Sequence, residues 1–424
     1  MDVLDRSQLS PDTQATLLLC GRFDARSEAR DELARPLSGA EYLRLAKALV
    51  VHDRRPADLV DGDLGRIASA GIAEDRLRTL LGRGMAMALA LERWSRSGIR
   101  VLGRGDPGYP ANLRKRLRGA APHLLFVCGP ADLLDAEALC VVGSRDATED
   151  GLASARSLGR ACASANVAIV SGGARGVDRE AMMSALASGG RSVGILADSL
   201  SRAVLSKDYR RFIADGRLVL ASAADPDARF SVAGAMERNK YLYALARAAV
   251  IVDSDVKGGT WSGAVENAEH GWVPAYVRLD GDQRPGNRRL VDLGLVPLPS
   301  NDGDEGTWIR DILDPAMPAA DTLGSPVQAA LPLMASAESP GEPSARANDS
   351  PARDMAEELF DAFIGRALVL LGSRPGSARQ IADHFAIEDA QARRWLDKAV
   401  ERRIIGRDDG ATGPIYRAPT RSAA

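Results

Sequence analysis

At 424 residues the chain is longer than one ordinary domain, so two or three are expected. Apolar residues at 45% and charged residues at 26% give the balance of a soluble globular protein. Aromatics at only 4% leave core volume to Ala, Leu and Val. With 55 Lys and Arg against 57 Asp and Glu, net −2, a uniformly basic nucleic-acid coat is excluded and any polyanion site must be local. The four cysteines (Cys20, Cys128, Cys140, Cys162) form no C-x-x-C pair and the four histidines are scattered, which argues against a zinc site or a disulfide framework. No metal or organic cofactor is indicated. No apolar run reaches membrane-span length, and the start MDVLDRSQ lacks the basic and apolar regions of a signal peptide, so a cytoplasmic protein without membrane contact is expected.

Residues 1–92 read as an N-terminal helical domain. Ser10 is a candidate N-cap before Pro11 and the run TQATLLL, and Ser38 caps SGAEYLRLAKALV, whose Tyr42, Leu45, Ala46 and Leu49 fall at helical spacing. Two further helices fit DLGRIASA and RLRTLLGRGMAMALALERWSRSG. Such a region serves for packing or as a small interaction module.

From 93 to 300 the pattern changes. Six short apolar runs alternate with helical stretches: LCVVG (139–143), VAIVSGG (167–173), RSVGILA (191–197), RLVLAS (217–222), AAVIVDS (248–254) and VPAYVR (273–278). Short, Val/Ile-rich runs ending in Gly, Ser or Asp suit strands buried on both faces. The alternation predicts an α/β fold with a Rossmann-like, doubly wound, mostly parallel sheet.

The span 301–353 is expected to be a linker, since 315–353 holds seven prolines among Ala, Ser and Asp. Residues 354–424 follow the winged-helix order: a helix, SARQIADHF, a turn, DAQARRWLDKAVERR, then a two-stranded wing from IIGRD to PIYRA. On its second helix Arg393, Arg394, Lys398 and Arg402 suit phosphate or groove contact. The unit carries eleven basic and eleven acidic side chains, so no net field steers DNA towards it, and winged helices also bind proteins.

The chemistry-bearing loops lie at strand ends, where open α/β sheets bind their ligands. Gly143, Ser144 and Arg145 close the first of these strands. Backbone amides there favour an anion, to which Arg145 adds a bidentate donor. By itself G-S-R is a weak motif, equally an ordinary surface turn. The second strand ends in Ser171, Gly172, Gly173, Ala174, Arg175, Gly176, Val177 and Asp178. Its glycines allow close backbone approach to a phosphate, Arg175 sits mid-loop, and Asp178 is expected to cap the next helix. Neither G-x-x-x-x-G-K-[ST] nor G-x-G-x-x-G is present, so no P-loop and no dinucleotide cofactor is implied. A third element, Arg238-Asn239-Lys240, precedes strand AAVIVD. That strand leads into Lys257, Gly258, Gly259, Thr260, Trp261 and Ser262, where Thr260 and Ser262 can donate to phosphate and Trp261 either stacks on a base or packs in the core.

Taken in order, V-V-G-S-R, S-G-G-A-R-G-V-D, E-R-N-K and K-G-G-T-W-S-G-A resemble the DNA-processing protein A (DprA/Smf) family over most of 93–300. The upstream Tyr109, Pro110 and Leu113 match its Y-P-x-x-L segment. The resemblance implies a Rossmann-like domain that binds single-stranded DNA, forms homodimers and loads a RecA-type recombinase during transformation. Arg145 and Arg175 then stand at the phosphate-binding positions, and Arg238, Asn239 and Lys240 match the family's R-N-R with lysine third, which keeps the charge but loses the fork. Departures mark a divergent member: Met182 where histidine is usual, Asp253 for glutamate, K-G-G-T-W-S-G-A for S-G-S-x-x-T-A, and no Pro-Gly after VPAYVR. Two alternatives accompany this reading. GGTWSGAVENA loosely resembles the loop of LOG-type nucleotide phosphoribohydrolases, with Glu266 near the catalytic carboxylate position. A nucleotide sensor in phage defence is the other.

Overall fold

The computed structural model describes residues 9–23, 31–60, 62, 64, 70–301, 303–314, 364, 367–368, 371, 375–385, 389–402, 404–410 and 413–417. Residues 1–333 and 334–424 form two units.

The first unit begins with helix Pro11–Cys20, capped by Ser10, whose hydroxyl accepts from the Thr13 amide. Helix Gly39–Val51 starts with a full capping box, in which Ser38 accepts from the Glu41 amide and Glu41 accepts from the Ser38 amide. Both caps fall where sequence places them. Arg76 adds an ion pair to Glu41 at 2.7 Å. Burial alone would raise the Glu41 pKa. The hydrogen bonds from Arg76 and Ser38 outweigh it and hold the carboxyl down at about 2, against an ordinary value of 4.5. A depressed carboxylate contributes stability that is complete above about pH 4.5 and is lost as pH falls towards 2. Ser38→Ala is therefore expected to cost about 1 kcal/mol near neutrality. Glu41→Gln should remove part of the stability lost between those two pH values, as read from urea midpoints across an acid series.

Sequence predicts one continuous helix over RLRTLLGRGMAMALALERWSRSG; the structure forms two, Glu74–Leu81 and Gly84–Arg96. The break falls at Gly82-Arg83, where the Gly82 amide closes onto Arg78 and the Arg83 guanidinium donates to the carbonyls of Leu18 and Gly21. The helix expected over DLGRIASA lies mainly outside the described residues. Trp94 is buried edge-on against Phe126, so this region packs onto the sheet.

The sheet has nine strands: β1 (Ile99–Gly103), β2 (Leu124–Cys128), β3 (Ala138–Gly143), β4 (Ala168–Ser171), β5 (Ser192–Ile195), β6 (Leu218–Ser222), β7 (Ala248–Asp253), β8 (Ala275–Val277) and β9 (Val296–Pro297). Their order is β1-β2-β6-β5-β4-β3-β7-β8-β9. From β6 to β9 all neighbours are parallel, while β2 is antiparallel to both β1 and β6. The six predicted strands are β3 to β8, so the Rossmann-like sheet forms as expected, with β1, β2 and β9 added at its edges.

Alternate residues of β3 serve opposite cores. Leu139 and Val141 face the helices Glu149–Ser164 and Val177–Ala187; Cys140 and Val142 face helix Val232–Leu245. Burial on both faces is why these strands read as unbroken apolar runs. Chain order runs outward from β3 through β4, β5 and β6, then returns to β7 on the other side. The topological switch point, where ligands of such sheets bind, therefore lies between β3 and β7. Within the span expected to be linker, Glu305–Leu313 folds as a helix whose Ile309, Ile312 and Leu313 join the core, because its apolar residues recur at helical spacing. Residues 315–353 lie outside the described residues.

In the second unit, helices Ala378–Phe385 and Asp389–Glu401 precede the antiparallel strands Gly406–Gly410 and Gly413–Arg417, the order expected of a winged helix. Asp397 ties the second helix to the hairpin, accepting from Tyr416 Oη at 2.8 Å and from Arg407 at 3.1 Å.

Candidate nucleic-acid interface at the switch point

Three loops meet at the switch point because backbone and carboxylate bonds fasten each to the next. The Ser144 amide donates to the Asp253 carbonyl at 2.7 Å, binding the end of β3 to that of β7. Asp253, fully buried, accepts from the amides of Thr148 (2.8 Å) and Arg284 (3.0 Å). Ser171 donates to the Val141 carbonyl at 2.6 Å, and the Gly172 amide donates to Asp178 at 3.1 Å.

Asp178 does not cap its helix. Gly176 holds the cap position with φ +87°, and Asp178 turns inward beneath the loops, where the amides of Gly143, Gly172 and Ala174 face its carboxylate. Burial raises its pKa, and Arg238 and these amides oppose the rise.

Above this base lies a recess of about 350 Å³. It gathers Gly143, Ser144, Arg145, Arg238, Asn239, Lys257, Gly258, Gly259 and Thr260 from segments more than a hundred residues apart. Arg238 forms its floor. The residue is 7% exposed and its Nη1 stands 4.0 Å from Asp178, yet Nε and Nη1 have no hydrogen-bond partner. Burial lowers its pKa while Asp178 opposes that shift. A buried guanidinium with unfilled donors is costly unless an acceptor arrives. The Tyr243 hydroxyl, also on the recess wall and buried, is likewise unpartnered. At the rim Arg145 stacks on Phe230, 4.7 Å from the ring centroid, and Lys257 is exposed. Asn239 donates to the Gly259 carbonyl at 2.9 Å, pinning the Lys257–Thr260 loop to helix Val232–Leu245.

Not every predicted residue joins the recess. Arg175, its side chain 77% exposed, is ion-paired with Asp146 and does not line the recess. Ser171, Gly172, Gly173 and Gly176 shape the loop without lining the recess, and Ser262 lies within helix Gly259–His270. Lys240 lines a different cavity and pairs with Glu237 at 2.8 Å. Trp261 packs against the core, and Glu266 is absent from the recess wall. In the second unit Arg393 and Arg402 are exposed and Lys398 is half-buried; the side chain of Arg394 is outside the described residues.

Sequence reading missed Phe230, Val232, Met236 and Tyr243. The first three keep 45%, 68% and 42% of their surface exposed around the recess mouth. An apolar segment left in solvent beside three cations suits the faces of bases, whereas phosphates would meet the cations. Among the described residues no group of His, Cys, Asp and Glu could hold a metal, and no helix is long and apolar enough to cross a membrane.

Residues 100–294 match the family model described as DNA recombination-mediator protein A. Over 201 residues the chain is 34% identical to a putative DNA processing protein DprA of Mycobacterium tuberculosis, covering 44% of this chain and 51% of that protein. Over 144 residues it is 28% identical to DNA processing protein DprA of Streptococcus pneumoniae, covering 33% and 50%. The matches thus span about half the length of these curated relatives. The solved structure of DNA processing protein A from Streptococcus pneumoniae superposes with a TM-score of 0.54 at 19% identity, over 72% of this chain and 98% of that one, and shows the same fold.

Proposed function

We propose, for a chain that belongs to the DNA recombination-mediator protein A family through its α/β domain, that the switch-point recess binds single-stranded DNA and that the protein acts as a recombination mediator. The observation that carries this reading is Arg238, a buried guanidinium with two unfilled donor atoms on the floor of a cationic recess. A backbone phosphate meets Arg238, Arg145 and Lys257 there, loop amides supply further donors, and bases rest on Phe230 and its apolar neighbours. Binding is sequence-independent capture without chemistry. Duplex DNA, whose bases are stacked away, cannot use the apolar mouth.

The finer parts of the proposal follow from the family resemblance: a cytoplasmic homodimer that presents the captured strand to a RecA-type recombinase. The winged-helix unit adds DNA contacts through Arg393, Arg394, Lys398 and Arg402.

Equilibrium binding of fluorescent single- and double-stranded oligonucleotides over a salt series tests the reading. Each phosphate neutralised on a single strand contributes about 0.7 to the slope of log K against log salt. Arg145→Ala with Lys257→Ala should therefore flatten that slope by about 1.4 and weaken binding at low salt. Arg175→Ala, outside the recess, should change it little. Equal affinity for duplex and single strand, or a slope that the double variant leaves untouched, would overturn the proposal.

A further inference from the structure

A second cavity of about 470 Å³ lies on the opposite flank of helix Val232–Leu245. It opens over the ends of β5 and β6, where Leu196, Ala197, Ala223 and Ala224 line it, and helix Gly39–Val51 closes its far side through Gly39, Ala40 and Leu43. We propose that a strand held in the switch-point recess continues over the first turns of helix Val232–Leu245 and places a further nucleotide in this second cavity. The inference rests on the reading of the recess given above.

Four observations carry it. Arg238, whose Nε and Nη1 have no hydrogen-bond partner, lines both cavities and so ties the two spaces to one residue. The helix start between them carries exposed Val232 and Met236, next to Phe230, a surface on which bases can lie as the strand crosses. The second cavity is walled mainly by small apolar residues, into which Lys240, Glu237 and His123 bring polar groups. His123 packs against Tyr42 with ring centroids 4.6 Å apart and the planes tilted by 35°, and burial pushes its pKa down to about 4, so near neutrality its ring offers one donor and one acceptor, as a base edge requires.

Spacing supports one continuous strand. In the order β6-β5-β4-β3-β7 the mouths are centred three strand spacings apart, about 14 Å. One nucleotide cannot occupy both, whereas a short oligonucleotide can. The arrangement also gives the third residue of Arg238-Asn239-Lys240 a place: Asn239 faces the recess, Lys240 the second cavity, and Arg238 both.

The test is competition binding by oligothymidylates of graded length on the full chain, with Gly39→Trp and Lys240→Ala. A side chain added at Gly39 enters open space, its nearest neighbour being His123 Cε1 at 3.8 Å, so the indole fills the cavity without a backbone clash. The wild-type chain should gain affinity in a step once the oligomer is long enough to reach the second cavity. Gly39→Trp should erase that step, a loss of about 5- to 100-fold for the longer oligomers, while the shortest binders are unchanged. Lys240→Ala should reduce the salt slope by about 0.7 for the longer oligomers alone, and it carries the test by itself if thermal melts show that the tryptophan variant does not fold. Losses equal at every length, or no loss at any, would overturn the inference. A wild-type chain that binds no oligomer would instead sink the reading of the recess, and this inference with it.

Discussion

Arg238→Met is expected to abolish single-stranded DNA binding and to destabilise the fold by about 3–5 kcal/mol. Both effects come from one side chain, so they must be separated. Arg238 is the charge partner of Asp178, with side-chain exposures of only 9% and 8%. Removing the guanidinium leaves a buried carboxylate opposed only by the amides of Gly143, Gly172 and Ala174. A second substitution, Asp178→Asn, removes that stranded charge while keeping an acceptor for the Gly172 amide, which donates to Asp178 at 3.1 Å. The double variant should recover most of the lost stability, because a buried pair replaced as a unit costs far less than a pair broken. Its affinity should stay lost, since the donors that meet phosphate are gone. Urea denaturation and fluorescence anisotropy on the three proteins read the two quantities apart. If the double variant bound single-stranded DNA like wild type, Arg238 would be a structural counter-ion and the recess would lose its main argument.

Much of this site was legible from sequence because its parts are local. A Val-rich run ending in Gly-Ser-Arg declares a buried strand and its loop, and both Gly143 and Arg145 line the recess as expected. Direction is what local sequence lacks. Arg175 follows two glycines as plausibly as Arg145 follows one, but Asp146, from the neighbouring loop, draws its guanidinium outward. Arg238 looked like one of three equivalent residues on a polar segment; only the helix's seat across the strand ends makes it the buried one. Phe230 and Met236 carried no signal, because an isolated exposed apolar residue is ordinary. Their meaning comes from lying at the mouth of a cavity that is floored by Arg238 and walled by residues far away in sequence, Gly143, Ser144 and Arg145 among them. Strands β1 and β9 were hidden for a different reason, one that does not extend to β2, whose LLFVC is as continuous and buried as the predicted runs. β1 alternates in burial along IRVLG and β9 has two residues, so neither shows the continuous apolar run that marks β3 to β8.

Gly176→Ala should weaken DNA binding several-fold although Gly176 lines no part of the recess. Its backbone has φ +87° and ψ −138°, a region closed to side-chain-bearing residues, with a strain of about 1–3 kcal/mol. A Cβ there would also stand 2.3 Å from the Ser144 carbonyl oxygen and 2.8 Å from that of Arg145. Those are backbone atoms of the phosphate loop itself, so relief requires the loop to move. Any shift pulls Ser144 from the Asp253 carbonyl, which it meets at 2.7 Å, and displaces Arg145 from its stack on Phe230. Gly216 separates strain from displacement. It has φ +71°, and a Cβ would meet nothing within 4 Å, so Gly216→Ala carries backbone strain without pushing on any neighbour. Both variants should melt earlier than wild type, each losing at least about 1 kcal/mol. Only Gly176→Ala should lose affinity, and more at low salt, where the contacts of Arg145 are strongest. Equal affinities in the two variants would mean that the Ser144–Arg145 loop does not touch the strand, and the phosphate would then have to be held by Arg238 and Lys257 alone.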